Sequence, residues 1–390
     1  MKSSHQSKKR KIRVSFNEIV EVIKNNNIPQ LLIWLNDGSI PDINMRSHDG
    51  NDNTLLILAS QLGRIEVVRL LLKYGALTHK ENESFHTAIA VACHEGHLDI
   101  ARLLESKGAD LHDEFILLTT CQNGHLEVVR FLLDHGADIN SERDFCSTPL
   151  AAACRAGHFE IVKLLVTRGA EVNCEFPGDV EDYCSNPLAA ACFANNLEIV
   201  KYLVSAGADA SICAPLAYLH EENIELVSFL LDNGADINAT SPYANPLIRA
   251  SGSGLIGNVK CLLKRGANVH VREDKTTSLM FACVMTTYRR ERILPTIKLL
   301  LDYGADTNDV DSEGDSALIH LLRTSRSDTA ESDLECVRLL LQYGADVTAT
   351  NLAGETASSL VEAGSAICNL LAEYRDQNDR ELLAIKPLVK

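Results

Sequence analysis

The chain has 390 residues, 46% of them hydrophobic, with 53 Asp and Glu against 37 Lys and Arg and a formal net charge of −16. An acidic surface repels nucleic acid, and no apolar run reaches the ~18 residues that a membrane span requires. No secretory signal opens the sequence, so the expectation is a soluble intracellular protein, cytoplasmic or nuclear.

The charge is uneven from the start. Residues 1–16 carry Lys2, Lys8, Lys9, Arg10, Lys11 and Arg13 with no acid, which leaves −22 on the remainder. That acidic excess attracts basic partner segments, or simply keeps a long surface in solution. Residues 7–16 read SKKRKIRVSF, and Ser15-x-x-Glu18 is a capping box at the head of a helix. Val14 stands before that cap, and Ile19 is placed to pack against it as a hydrophobic staple. The following FNEIVEVIKNNNIPQLLIWLNDG predicts two short helices that end at Gly38.

From there one phrase recurs: a Leu-rich helix end, then Gly-Ala, then usually Asp-x-Asn. Its glycines are Gly75, Gly108, Gly136, Gly169, Gly207, Gly234, Gly266, Gly304 and Gly344. Their separations are 33, 28, 33, 38, 27, 32, 38 and 40 residues. A period near 33 marks a repeat array, which is usually a binding surface rather than a catalyst.

Residues 148–172 show the physics of one unit. Thr148 caps a short helix whose first turn holds Pro149, where a missing N–H costs nothing. That helix runs over Leu150–Cys154, and Gly157 supplies the turn. The second helix, Phe159–Arg168, presents Ile161, Val162, Leu164, Leu165 and Val166 and ends at Gly169. Its apolar stripe is too wide for one helix pair to cover, so the unit is stable only in a stack.

These residues resemble the ankyrin repeat. T-P-L-x-x-A-x-x-x-G-H-x-E-I-V-x-x-L-L-x-x-G-A-x-V-N is nearly complete in residues 148–173, with weaker copies from Thr54, Thr87 and Asn186. The resemblance implies an all-α solenoid of about ten helix-turn-helix repeats with projecting hairpin fingers, a curved rod on the order of 100 Å. The expected organisation is a basic, flexible segment over 1–16, the array over 17–374 with degenerate end repeats, and a tail over 375–390. The family's usual His after Pro-Leu is Ala151, Ala189, Ala217 and Ile248, so the hydrogen bonds it makes between repeats are expected to be missing.

Ankyrin proteins generally bind with their fingers and adjacent first helices. Phe85, Phe145, Phe176, Tyr183 and Tyr243 fall in finger segments, where exposed aromatics make binding hot spots or pack on neighbouring fingers. Two repeats, at 111–115 and 210–214, reach the first helix with no room for a finger, so gaps are expected in the row. Residues 174–184 are an enlarged acidic finger, while 286–295 and 323–333 lengthen the links between paired helices. Of the twelve cysteines, Cys93, Cys121, Cys154 and Cys192 recur at a small buried position. Successive repeats hold them about 8–10 Å apart, beyond disulfide reach. No C-x-x-C pair points to zinc, and no metal or other cofactor is expected. Leu132–Asn140, Leu165–Asn173, Leu230–Asn238 and Leu300–Asn308 have the spacing of asparagine-hydroxylation targets in the family; the alternative is that these asparagines hold the turn.

Arg13-Val14-Ser15-Phe16 resembles the docking peptide of type-1 protein phosphatase regulatory subunits. In that family an extended segment adds to a sheet edge, and Val14 and Phe16 would fill paired pockets on one side. Basic stretch, motif and ankyrin array follow one another as in the myosin-phosphatase targeting subunits, although this array is longer and no long C-terminal region follows. Phosphorylation of Ser15 would place a dianion between the anchors. The competing reading of the same residues is the helix cap alone. Lys8-Lys9-Arg10-Lys11 resembles a nuclear import signal or is a solvated basic tail. No nucleophile elbow, phosphate loop or metal cluster suggests an enzyme. The expectation is therefore a non-catalytic scaffold, with phosphatase targeting its most concrete form. A substrate adaptor of a ubiquitin ligase and an anchor for a membrane or cytoskeletal partner are the alternatives.

Overall fold

The computed structural model describes residues 14–47, 50–141, 148–174, 186–212, 214–240, 245–284, 291–325 and 330–385. The chain divides into two compact units near residue 180. The first contains five helix pairs: α1 (Phe16–Lys24) with α2 (Ile28–Asp37), α3 (Leu55–Gln61) with α4 (Ile65–Lys73), α5 (Ala88–His94) with α6 (Leu98–Glu105), α7 (Glu114–Asn123) with α8 (Leu126–Asp134), and α9 (Pro149–Ala156) with α10 (Phe159–Thr167). First helices stack on first helices, α3 on α5 on α7 on α9, and second helices stack likewise from α4 to α10.

The local causes are those the sequence displays. Thr54, Thr87 and Thr148 accept N–H bonds from Ile57, Ala90 and Ala151 at 3.2–3.3 Å, capping α3, α5 and α9. The Gly-Ala glycines end the second helices at φ between +80° and +97°. A β-carbon at most of them would meet open space, so backbone conformation rather than crowding requires glycine there. Leu150, Ala151, Ala153 and Cys154 of α9 and Ile161, Val162 and Leu165 of α10 are all buried, as the repeat argument demands.

Gly63 and Gly124 have a different reason. The His97 ring packs where a β-carbon of Gly63 would lie, at 2.7 Å, and the His158 ring does the same at Gly124, at 2.5 Å. These rings also bond backward, His97 Nε2 to the Gln61 carbonyl at 3.2 Å and His158 Nε2 to the Gln122 carbonyl at 3.0 Å. The described bonds between these repeats are thus made by the histidine that heads the second helix.

The second unit holds α11 (Pro187–Phe193), α12 (Leu197–Ser205), a single 3-10 turn (Pro215–Tyr218), α13 (Ile224–Asp232), α14 (Pro246–Gly252), α15 (Ile256–Lys264), α16 (Ser278–Cys283), α17 (Ile293–Asp302), α18 (Ala317–Thr324), α19 (Ala330–Gln342), a second 3-10 turn (Ala357–Ser359) and α20 (Ala366–Ile385). Its one two-stranded ribbon among the described residues pairs β1 (Arg272–Glu273) with β2 (Thr276–Thr277). Asn223 and Asn258 take over the cross-repeat bonding here, with Asn223 Nδ2 donating to Asn195 Oδ1 at 2.8 Å and Asn258 Nδ2 to the Glu221 carbonyl at 3.1 Å.

Two expectations need adjustment. The second short repeat has a 3-10 turn in place of a first helix, because Ala214 enters at φ +42° and Leu219 leaves in extended conformation. The final helix α20 runs through residue 374 to Ile385, since nothing in YRDQNDRELLAI breaks it.

Candidate protein-interaction surfaces

Val14, Ser15 and Phe16 of the N-terminal motif are built into the first repeat. Val14 is only 6% exposed, and its N–H donates to the Ser39 carbonyl at 3.1 Å. Ser15 is exposed and caps α1. Its Oγ accepts from the Glu18 N–H at 3.4 Å, while its own N–H and hydroxyl donate to Glu18 Oε2 at 2.8 and 2.7 Å. The Ser15 bonds, side chain first and backbone second, hold the Glu18 carboxyl below its ordinary range. Phe16 is the first residue of α1 and half-buried, and Ile19 is fully buried. The capping box and the paired burial of Val14 and Ile19 are both present. Arg13 and the basic cluster Lys8, Lys9, Arg10 and Lys11 lie outside the described residues.

The fingers give the second surface. At the tip of the finger between α4 and α5, Phe85 is 71% exposed with φ +62°. A bulky side chain rarely adopts that conformation, and four bonds impose it. Phe85 N–H donates to the Asn82 carbonyl and Asn82 N–H to the His86 carbonyl, each at 3.1 Å. Asn82 Oδ1 accepts from Ser84 and His86 N–H at 3.0 and 2.9 Å. Phe145, Phe176, Tyr183 and Tyr243 lie outside the described residues.

Beside that finger the short repeat has its effect. Asp113 caps α7 at Phe115, leaving only three residues, Leu111 to Asp113, between the Gly-Ala-Asp turn and the helix. A cavity of about 220 Å³ opens there, lined by Asn53, Asn82, His86, Val91, Phe115 and Thr119 among others. His86 and Phe115 stack on its wall, centroids 5.7 Å apart and planes 13° from parallel. Sequence reasoning located the gap but not the aromatic socket within it.

In the second unit a cavity of about 450 Å³ lies between α14, α16 and the β1–β2 finger, bordered by Ile248, Arg249, Gly252, Glu273 and Phe281. Burial pushes the Glu273 carboxyl up, against bonds from Asn245 and the nearby Arg249. The next two fingers are joined to each other. Arg323 reaches Asp315 at 2.5 Å, Glu355 at 2.5 Å and Glu313 at 3.5 Å, and Asn351 donates to the buried Asp315 carboxylate at 2.7 Å. Asp311, Asp315 and His320 bring ligand atoms within 4.8 Å of one another. Each already has a protein partner: His320 bonds Asp311 at 2.9 Å, and the Arg323 guanidinium meets Asp315 where a cation would compete. We read the cluster as a strut between fingers.

The candidate asparagines join successive turns. Asn140, Asn238 and Asn308 accept through Oδ1 from the N–H groups of Glu171, Asn268 and Asp346 at 2.8–3.0 Å. Each donor is the residue after the next Gly-Ala. Asn173 occupies the same place and is exposed. Leu132, Leu165, Leu230 and Leu300, eight residues earlier, are all fully buried. The nine described cysteines are free thiols. Burial pushes the Cys93 thiol up to about 12 and the Cys121 and Cys283 thiols also well up, which fits small core residues.

Helix pairs with Gly-Ala turns, stacked through a histidine and asparagine ladder, define an all-α repeat solenoid. A family model for ankyrin repeats matches residues 19–115, 109–176, 178–241, 213–311 and 247–351, and the chain belongs to the ankyrin-repeat family. It is on this ground a protein-interaction array. Its relatives include protein phosphatase 1 regulatory subunit 27 of Homo sapiens and of Mus musculus, each 50% identical over 48 residues. That match covers 12% of this chain and 31% of either relative, so the chain spans about a third of their length. No described helix is long and apolar enough to cross a membrane.

Proposed function

We propose that this chain is a non-catalytic targeting subunit for type-1 protein phosphatase. Val14 and Phe16, with Arg13 before them, dock the enzyme by strand addition, and the array holds the protein to be dephosphorylated. The observation that carries this reading is the motif itself, a basic run and Arg13-Val14-Ser15-Phe16 set immediately before an ankyrin array. The name of the relatives agrees with it, although it comes from a short match. The socket beside Phe85 and the groove beside Phe281 are the natural seats for the second partner, and the acidic array favours a basic segment there.

Three modifications or addresses accompany the proposal. Phosphorylated Ser15 weakens docking. Lys8–Lys11 carries the chain into the nucleus. Hydroxylation at Asn140, Asn173, Asn238 or Asn308 would act on the turn ladder without defining the function. The test is retention of phosphatase activity. Beads bearing the full chain should hold the type-1 catalytic subunit from a purified preparation, and chemically phosphorylated Ser15 should release it. Beads that retain no activity in either state would remove the proposal.

A further inference from the structure

The geometry points to a latch: the first repeat holds the docking segment shut, so that a phosphatase engages this chain only after the cap of α1 has been undone. This inference rests on the docking reading above and adds its regulation. Strand addition needs Val14 and Phe16 two apart on one face of an extended segment, with free main-chain groups between them. Neither condition is met in the closed state. Ser15 is extended at φ −74° and ψ 157°, but Phe16 already begins α1 and turns away from the strand path.

The groups that would bind the enzyme are also committed elsewhere. Val14 is buried, its N–H is held by Ser39, and the Ser15 N–H is held by Glu18. Docking must therefore expose a valine, break a buried amide bond and open a capping box. Such losses together reduce the docking-competent fraction to about one in 100 or fewer, and weaken apparent affinity by the same factor. Glu18 is the lever, because it lies outside the four-residue motif yet closes the box. Whatever draws Glu18 away favours the open state.

Calorimetric titration of the type-1 catalytic subunit separates the possibilities. The titrants are a peptide of residues 7–17, which has no cap to open, the full chain, and the full chain with Glu18→Ala. The latch predicts that the peptide binds about 100-fold tighter than the full chain. It predicts that Glu18→Ala recovers about fivefold, with faster hydrogen exchange at the Val14 amide. Equal affinity of peptide and full chain, with no effect of Glu18→Ala, overturns the latch and leaves the docking reading standing. Failure of the peptide itself to bind overturns the docking reading, and the latch falls with it.

Discussion

The most exposed aromatic of the described fingers sits on a strained backbone, and that combination can be tested by comparing two substitutions. Phe85 holds φ +62°, where a residue with a β-carbon pays about 1–2 kcal/mol relative to the right-handed regions. Replacing it with alanine removes the ring but keeps the strain. Because the ring is mostly in water, that change should alter stability by no more than about 0.5 kcal/mol. Replacing it with glycine removes the strain as well, at a cost of about 0.5–1 kcal/mol for the extra freedom of the unfolded chain. Phe85→Gly should therefore be more stable than Phe85→Ala by roughly 0.5–1 kcal/mol. The tip bonds around Asn82 involve backbone groups that both variants keep. Urea unfolding followed by the emission of Trp34, which lies in α2 of the same unit, reads the difference as a shift in midpoint at constant slope. A glycine variant no more stable than the alanine variant would refute the argument that strain is stored at this tip. If the difference is found, the chain has kept a destabilising residue at an exposed position, which is the mark of a binding residue.

Gly63→Ala should cost about 2–3 kcal/mol, because the new β-carbon meets the His97 ring and φ is +66°. In a His97→Ala background the same change should cost only about 1–2 kcal/mol, so urea midpoints of the double-mutant cycle should show coupling. The strut between fingers makes the second unit sensitive to acid. Arg323 first and Asn351 second hold the Glu355 carboxyl below its ordinary range. Burial acts to raise Asp311, but bonds from Asp315, Glu313 and His320 outweigh it and hold that carboxyl down too. Folded values below unfolded ones mean stabilisation that is complete above about pH 4.5 and lost as pH falls through the folded values. Circular dichroism at pH 3 should show the wild type closer to Arg323→Ala in thermal midpoint than at pH 7.

Most of the fold was legible because its determinants are local and repeated. Thr148 before Pro149, Gly157 at the turn and Gly169 at the end each impose one conformation, and the period shows that a stack must bury the stripe. The 3-10 turn at Pro215–Tyr218 was not legible, since it depends on the positive φ of Ala214, which no residue type announces. The roles of His97 and His158 were hidden for another reason: each acts on the glycine of the preceding repeat, more than thirty residues away. The same holds for the socket. Its floor and wall come from three repeats, and only the missing finger before Phe115 left a trace in the sequence. At the N-terminus two readings, cap and docking peptide, were assigned to the same residues, and the structure displays the cap. The latch is the physical form in which both can be true.

The most direct measurement is a calorimetric titration of the type-1 phosphatase catalytic subunit with the full chain and with Val14→Ala/Phe16→Ala. The account predicts saturable binding by the wild type and at least a 100-fold loss in the double variant, with unchanged circular dichroism over the array. Binding of equal strength by both chains would place the phosphatase elsewhere on the array. No binding by the wild type, the 7–17 peptide or Glu18→Ala would reduce Val14, Ser15 and Phe16 to the cap of a helix and contradict the proposed function.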